Sequence, residues 1–138
     1  MTLVANGSIS TPAGYSAAGI ACGIKASGKP DVAIILSDRP ATVAAAFTAN
    51  RIVAAPVVHG RELIDRCDTI RAVVVNSGNA NACTGQRGLD DAAEMAGHAA
   101  AVLGLSTDEI LVSSTGVIGE HLPMETVSAG IDAAAAAL

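Results

Sequence analysis

The sequence predicts an α/β fold, a mixed sheet with packed helices. Three observations lead there. From residue 72 to 138 the chain alternates strand, loop, helix, strand, loop, helix, the order of a sheet with connecting helices. Two extended segments between 32 and 48 read as an antiparallel hairpin, which argues against a purely parallel sheet. Of the 138 residues, 51% are hydrophobic, yet Tyr15 and Phe47 are the sole aromatics. An apolar content made mostly of Ala and Val lets helices lie close on a sheet.

The elements follow in order. Residues 1–30 are turn-rich, with Pro12-Ala13-Gly14 and Ser27-Gly28-Lys29-Pro30 as breakers. Between them Gly19–Lys25 is expected to form a short strand. Val32–Ser37 is expected to be a buried strand, Asp38-Arg39-Pro40 a turn, and Thr42–Thr48 the returning strand. Ala55–His59 reads as a weaker strand, with Pro56 at its start or on an edge. Glu62–Cys67 has short helical character. Ala72–Asn76 is a strand that opens into an asparagine-rich loop ending at Gly85. Leu89–Leu103 is the clearest helix. Leu89, Ala92, Ala93, Ala96, Ala99, Ala100 and Leu103 share one face, Asp90 and Asp91 fall in its first turn, and Gly104 ends it. Glu109–Ser113 is a strand, and Pro123 begins a final helix through Ile131. Pro40, Pro56 and Pro123 mark turns, so residues 1–138 read as a single α/β domain or partial domain. The run Ala133–Ala137, closed by Leu138 without a cap, reads as a helix cut in its middle.

Composition narrows the function classes. The net charge is −5 and the Lys and Arg residues are scattered, so a nucleic-acid partner is not expected. No apolar run is long enough to span a bilayer, and Met1–Asn6 lacks the basic start and apolar stretch of a signal peptide. Cys22, Cys67 and Cys83 are widely spaced without metal-ligand spacing, consistent with reduced thiols in a cytoplasmic protein.

Two constellations carry chemistry. The run Leu111–Glu120 takes an apolar strand into a hydroxyl-rich, glycine-punctuated segment, Ser113-Ser114-Thr115-Gly116. It is either an anion or oxyanion site at a strand end or an ordinary βα turn. It is not a P-loop, because the spacing and the lysine are absent. The loop Asn76–Gly85 packs three asparagines into ten residues. It either lines a substrate cleft or is held by its own Asn-to-backbone hydrogen bonds. Neither segment comes with an evident nucleophile or general base. Cys83 has no activating neighbour in sequence, His59, His98 and His121 show no ligand spacing, and Asp90, Asp91 and Glu94 read as a solvated helix face.

Together these residues resemble the bifunctional ornithine acetyltransferase/N-acetylglutamate synthase family of arginine biosynthesis, in its N-terminal, α-chain portion. The matching stretches are Thr11-Pro12-Ala13-Gly14-Tyr15, Ala17–Lys25, Ala46–Arg51 with Ala54–Val57, Val75–Gly85, and Ser114–Glu120 with Leu122-Pro123-Met124. They cover nearly the whole chain in order. The resemblance implies an acyltransferase precursor that cleaves itself between an alanine and a threonine. The new N-terminal threonine is the nucleophile. It takes the acetyl group of N-acetylornithine and passes it to glutamate, with no metal or coenzyme. Some members also use acetyl-coenzyme A. It further implies a cytoplasmic heterotetramer of α and β chains, and an oxyanion hole that maps onto Thr115 and Gly116. An N-terminal threonine supplies its own amine as base, which accounts for the missing histidine partner.

This chain departs from the family pattern by stopping before the Thr-Thr-Asp stretch, the lysine-glycine segment and the Ala-Thr cleavage site. Alone it is therefore expected to be inactive, and the β chain is its expected partner. Two other readings stay open: a non-catalytic assembly module of the same fold, and a small phosphate-binding domain using Ser113–Gly116.

Overall fold

The computed structural model describes residues 4–138, so Met1, Thr2 and Leu3 of the N-terminal stretch lie outside the described residues. Among the described residues four strands form one sheet in the order β1-β2-β3-β4: β1 Tyr15–Ile20, β2 Val32–Thr42, β3 Thr69–Asn79 and β4 Ile110–Val117. The pairs β1–β2 and β2–β3 are antiparallel and β3–β4 is parallel, so the sheet is mixed as expected. Three α-helices of the described residues accompany it: α1 Ala55–Arg66, α2 Gly85–Leu103 and α3 Met124–Ala136. A parallel pair needs a crossover, and α2 is that crossover between β3 and β4.

The core lies between one face of the sheet and the helices α2 and α3. Val32, Ile34, Ala72, Val74, Ile110 and Val112 come from the strands. Ala92, Met95, Ala96, Ala99 and Ala100 meet them from α2, and Val127, Ile131 and Ala134 from α3. Alanine on the buried face of α2 brings the helix close to the sheet without large rings. Helix α1 packs on α2 and β4.

Several boundaries differ from the sequence expectation, each for a physical reason. The first strand is Tyr15–Ile20, not Gly19–Lys25. The N–H groups of Cys22, Gly23 and Lys25 are instead taken by the buried Asp31 carboxylate at 2.7, 3.2 and 2.9 Å. Asp38-Arg39-Pro40 is not a turn but part of β2. A bulge lets residues 37–40 face the single Arg71 of β3, whose guanidinium donates twice to the Ser37 carbonyl, at 3.1 and 2.9 Å. Pro40, which has no N–H to give a ladder, is tolerated in such a bulge.

Thr42–Thr48 is not a returning strand. Beyond Thr42, which pairs with Thr69 at the start of β3, no strand among the described residues remains for it to pair with. Ala55–His59 is helical rather than extended. Pro56 sits in the first turn, where its missing N–H costs nothing, and the buried Pro56, Gly60 and Leu63 recur at helical spacing. Helix α2 starts at Gly85 instead of Leu89, so Asp90 and Asp91 lie beyond its first turn.

Candidate active site at the ends of β3 and β4

β4 does not stop at Ser113. It runs through Thr115 and Gly116 to Val117, so the hydroxyl segment is paired strand and not a turn. Its partner also runs further than expected, to Asn79 instead of Asn76. Asn76 faces Ser114, Ser77 faces Thr115 and Gly78 faces Gly116. The two constellations singled out in the sequence are thus brought together at the carboxyl ends of adjacent parallel strands, where α/β sheets commonly place ligands.

Alternation along β4 decides what each hydroxyl can do. Ser114 is on the core side with Val112, and its buried Oγ has no hydrogen-bond partner among the described residues. Ser113 and Thr115 are exposed on the opposite side. Among the described residues no side-chain hydrogen bond engages the Thr115 hydroxyl, which leaves it available to an incoming group. Gly116 is exposed as well and has φ +136°. A Cβ there would run into the Gly78 carbonyl carbon and come within 2.5 Å of the Asn79 nitrogen. No other residue type fits so close a backbone contact at positive φ.

The asparagine loop is held by its own side chains. Asn76, Asn79 and Asn81 are all buried. Asn76 Nδ2 donates to the Asn79 carbonyl at 2.8 Å. Asn79 Nδ2 donates to the Glu120 and His121 carbonyls at 3.1 and 2.9 Å, and Asn79 Oδ1 accepts from the Asn81 N–H at 2.9 Å. Asn81 adopts φ +46°, its Nδ2 donates to the Gly88 carbonyl at 2.8 Å, and its Oδ1 accepts from Thr84 Oγ1 at 2.8 Å. Its carbonyl accepts the Ala55 N–H at the start of α1. The loop therefore ties β3, β4, α1 and α2 into one frame. Asparagine suits this because it donates and accepts at once and tolerates left-handed backbone.

The remaining candidates lie elsewhere in role or place. Cys22, Cys67 and Cys83 are free thiols. Burial, then a hydrogen bond to Asp31, pushes the Cys22 thiol up to about 11, which disfavours its nucleophilic form. Cys83 is exposed, at φ +59°, beside an apolar groove lined by Ile52, Val58 and Leu89. His59 is partly buried in α1. Burial and then the Arg66 charge hold it below the usual imidazole value. His98 pairs with Asp132 of α3 at 2.7 Å. His121 is exposed and joins the site only through its carbonyl. Asp91 is not on a solvated face, as the sequence suggested. It is buried, with Oδ2 unpartnered among the described residues. Among the described residues, His, Cys, Asp and Glu side chains do not gather into a metal-binding group, and no helix is long and apolar enough to cross a membrane.

A profile of the ArgJ family matches residues 16–138. The arginine biosynthesis bifunctional protein ArgJ of Rhodopirellula baltica is 53% identical over 127 residues, 92% of this chain and 31% of that protein. The protein of the same name from Thermobifida fusca is 51% identical over 130 residues, 94% of this chain and 34% of that protein. The chain thus spans about a third of the length of these curated relatives. Among solved structures, ornithine acetyltransferase from Mycobacterium tuberculosis complexed with ornithine superposes with a TM-score of 0.88 at 41% identity, covering 93% of this chain and 69% of that one. Arginine biosynthesis bifunctional protein ArgJ from Bacillus halodurans gives 0.87 at 43%, covering 91% and 65%.

Proposed function

Because this chain belongs to the ArgJ family, we propose that it is the α-chain portion of an ornithine/glutamate N-acetyltransferase and supplies the oxyanion hole. The observation that carries the reading is the exposed Thr115–Gly116 pair at the end of β4, with Gly116 locked against the Gly78–Asn79 peptide. The acetyl group of N-acetylornithine is attacked by a threonine at the N-terminus of a β chain, whose own amine takes the hydroxyl proton. The carbonyl oxygen becomes an oxyanion. The Thr115 hydroxyl and the Gly116 N–H donate to it, and as the C–N bond breaks the proton held by the threonine's amine passes to the nitrogen of the leaving ornithine. The glutamate amine then attacks the acyl-threonine through a second oxyanion held by the same two donors; the ester bond breaks, and the amine's proton returns by way of the threonine's own amine to its hydroxyl. Donors fixed before the reaction stabilise the developing charge without reorganising, and such stabilisation commonly dominates the rate gain in acyl transfer.

The partner is therefore the threonine-bearing β chain, and the working unit is the assembled α and β chains in the cytoplasm. Co-expressing this chain with the rest of the family sequence, the Thr-Thr-Asp and lysine-glycine segments as well as the threonine-initiated β chain, should restore acetyl transfer from N-acetylornithine to glutamate. A chain that pairs with no β chain and instead forms a defined homo-oligomer in native mass spectrometry would support the non-catalytic assembly module.

A further inference from the structure

The geometry points to Asn79 as the positioning residue of the Thr115–Gly116 pair, acting through the backbone on both sides of Gly116. This inference rests on the oxyanion reading above. The segment to be positioned has little packing of its own. Thr115 and Gly116 are exposed, and Val117 and Ile118 are 50% and 66% exposed. Hydrogen bonds must hold it in place of side-chain burial.

Those bonds converge on one residue. The Asn79 backbone pairs with both Thr115 and Val117, across an irregularity in the ladder that brackets Gly116. The next N–H, that of Ala80, donates to the Val117 carbonyl at 2.8 Å. The Asn79 side chain then reaches over the turn, and its one Nδ2 group donates to the successive carbonyls of Glu120 and His121. The outgoing segment is thus tied to the residue whose backbone presses on Gly116.

Asn79 is itself immobilised. It is 5% exposed, its carbonyl accepts from Asn76 Nδ2, and its Oδ1 accepts from the Asn81 N–H. Two acceptors on one side and one donor on the other dictate the amide orientation. A carboxylate in its place would set an oxygen against two carbonyl oxygens and push residues 117–121 away from β3. A shift of about 1 Å at a catalytic donor can cost on the order of 100-fold in rate.

The test uses Asn79→Asp in the assembled acetyltransferase, with and without Thr115→Ala. The expected result is a kcat lowered about 10- to 100-fold, with KM for N-acetylornithine changed less than about threefold. In the Thr115→Ala background the same substitution should cost clearly less than in the unmodified enzyme, because the part of its effect carried by the Thr115 hydroxyl is already gone and only the Gly116 N–H remains to be misplaced. Unchanged kcat for Asn79→Asp, or full multiplication of the two losses, overturns the proposal while leaving the oxyanion assignment intact. Unchanged turnover for Thr115→Ala alone removes the oxyanion assignment and this proposal with it. Should Asn79→Asp fail to assemble, Asn79→Ala deletes the tether without adding charge. Failure of both to assemble assigns Asn79 to folding and overturns the positioning role.

Discussion

Gly78 and Gly116 face each other across the parallel β3–β4 pair, and both hold positive φ, +114° and +136°. Each is crowded. A Cβ on Gly78 would come within 2.9 Å of Ile24 Cγ2 and Lys25 Cγ, and one on Gly116 would strike the Gly78 peptide. The close approach of the two strands at this point therefore depends on Gly116 lacking a side chain, while Gly78 leaves room for the Ile24–Lys25 segment.

Gly116→Ala is the sharper test of that contact. Its neighbour is backbone, which cannot swing aside as a lysine side chain can. The strained φ alone costs roughly 1–3 kcal/mol, and the clash adds to it. We expect a thermal midpoint lowered by several degrees and loss of acetyl transfer in the assembled enzyme. A variant with an unchanged melt would show that the strand ends separate freely, and the fixed position of the pair would have to be abandoned.

Thr115→Ala should behave in the opposite way. Thr115 is exposed and its hydroxyl has no side-chain partner among the described residues, so stability should change by no more than about 0.5 kcal/mol. Turnover in the assembled enzyme should fall on the order of 10²- to 10³-fold, the usual effect of deleting one oxyanion donor. Thr115→Ser keeps the hydroxyl and should retain most of the rate. Steady-state kinetics beside a thermal melt separates the two effects.

Asp31 predicts an acid-sensitive clamp. Burial by itself would raise its carboxyl. The N–H groups of Cys22 and Lys25, the Cys22 thiol and the Gly23 N–H outweigh that and bring it from 3.8 to about 2. A depressed folded-state value stabilises the fold above the unfolded value. The contribution should be complete above about pH 5 and lost as pH falls through 4 towards 2. Melts recorded from pH 6 to pH 2.5 should show this decline. Asp31→Asn should start lower by about 2 kcal/mol, since hydrogen bonds to a charged acceptor are lost, and should decline less with acid. Parallel acid slopes for the two proteins would refute the clamp.

The comparison of sequence and structure turns on particular elements. Val32–Ser37, Ala72–Asn76 and Glu109–Ser113 were legible as strands because runs of Val, Ile and Leu at that length have few alternatives. The α2 face was legible from its alanine spacing, although Leu89 and Ala93 prove exposed. The segment 55–59 was misread because Val57 and Val58 favour strand locally. The buried positions Pro56, Gly60 and Leu63, which follow a helical period, decide the outcome. Thr42–Thr48 has strand-like residues but, among the described residues, no strand to pair with, and a single sequence does not reveal where a partner ends.

For the site, the sequence alone identified both motifs, their order, and the pairing of a hydroxyl with a glycine at a strand end. These are local properties of residue type and spacing. Only the tertiary structure decided that β3 and β4 lie side by side in parallel, so that the asparagine loop and the hydroxyl segment become one frame. It also decided that Ser114 turns inward while Thr115 turns outward, and that Asn79 spans the turn to Glu120 and His121. The reason is physical: strand register reverses every side chain with a shift of one residue. Register is set by pairing between segments some forty residues apart, not by the residues that use it.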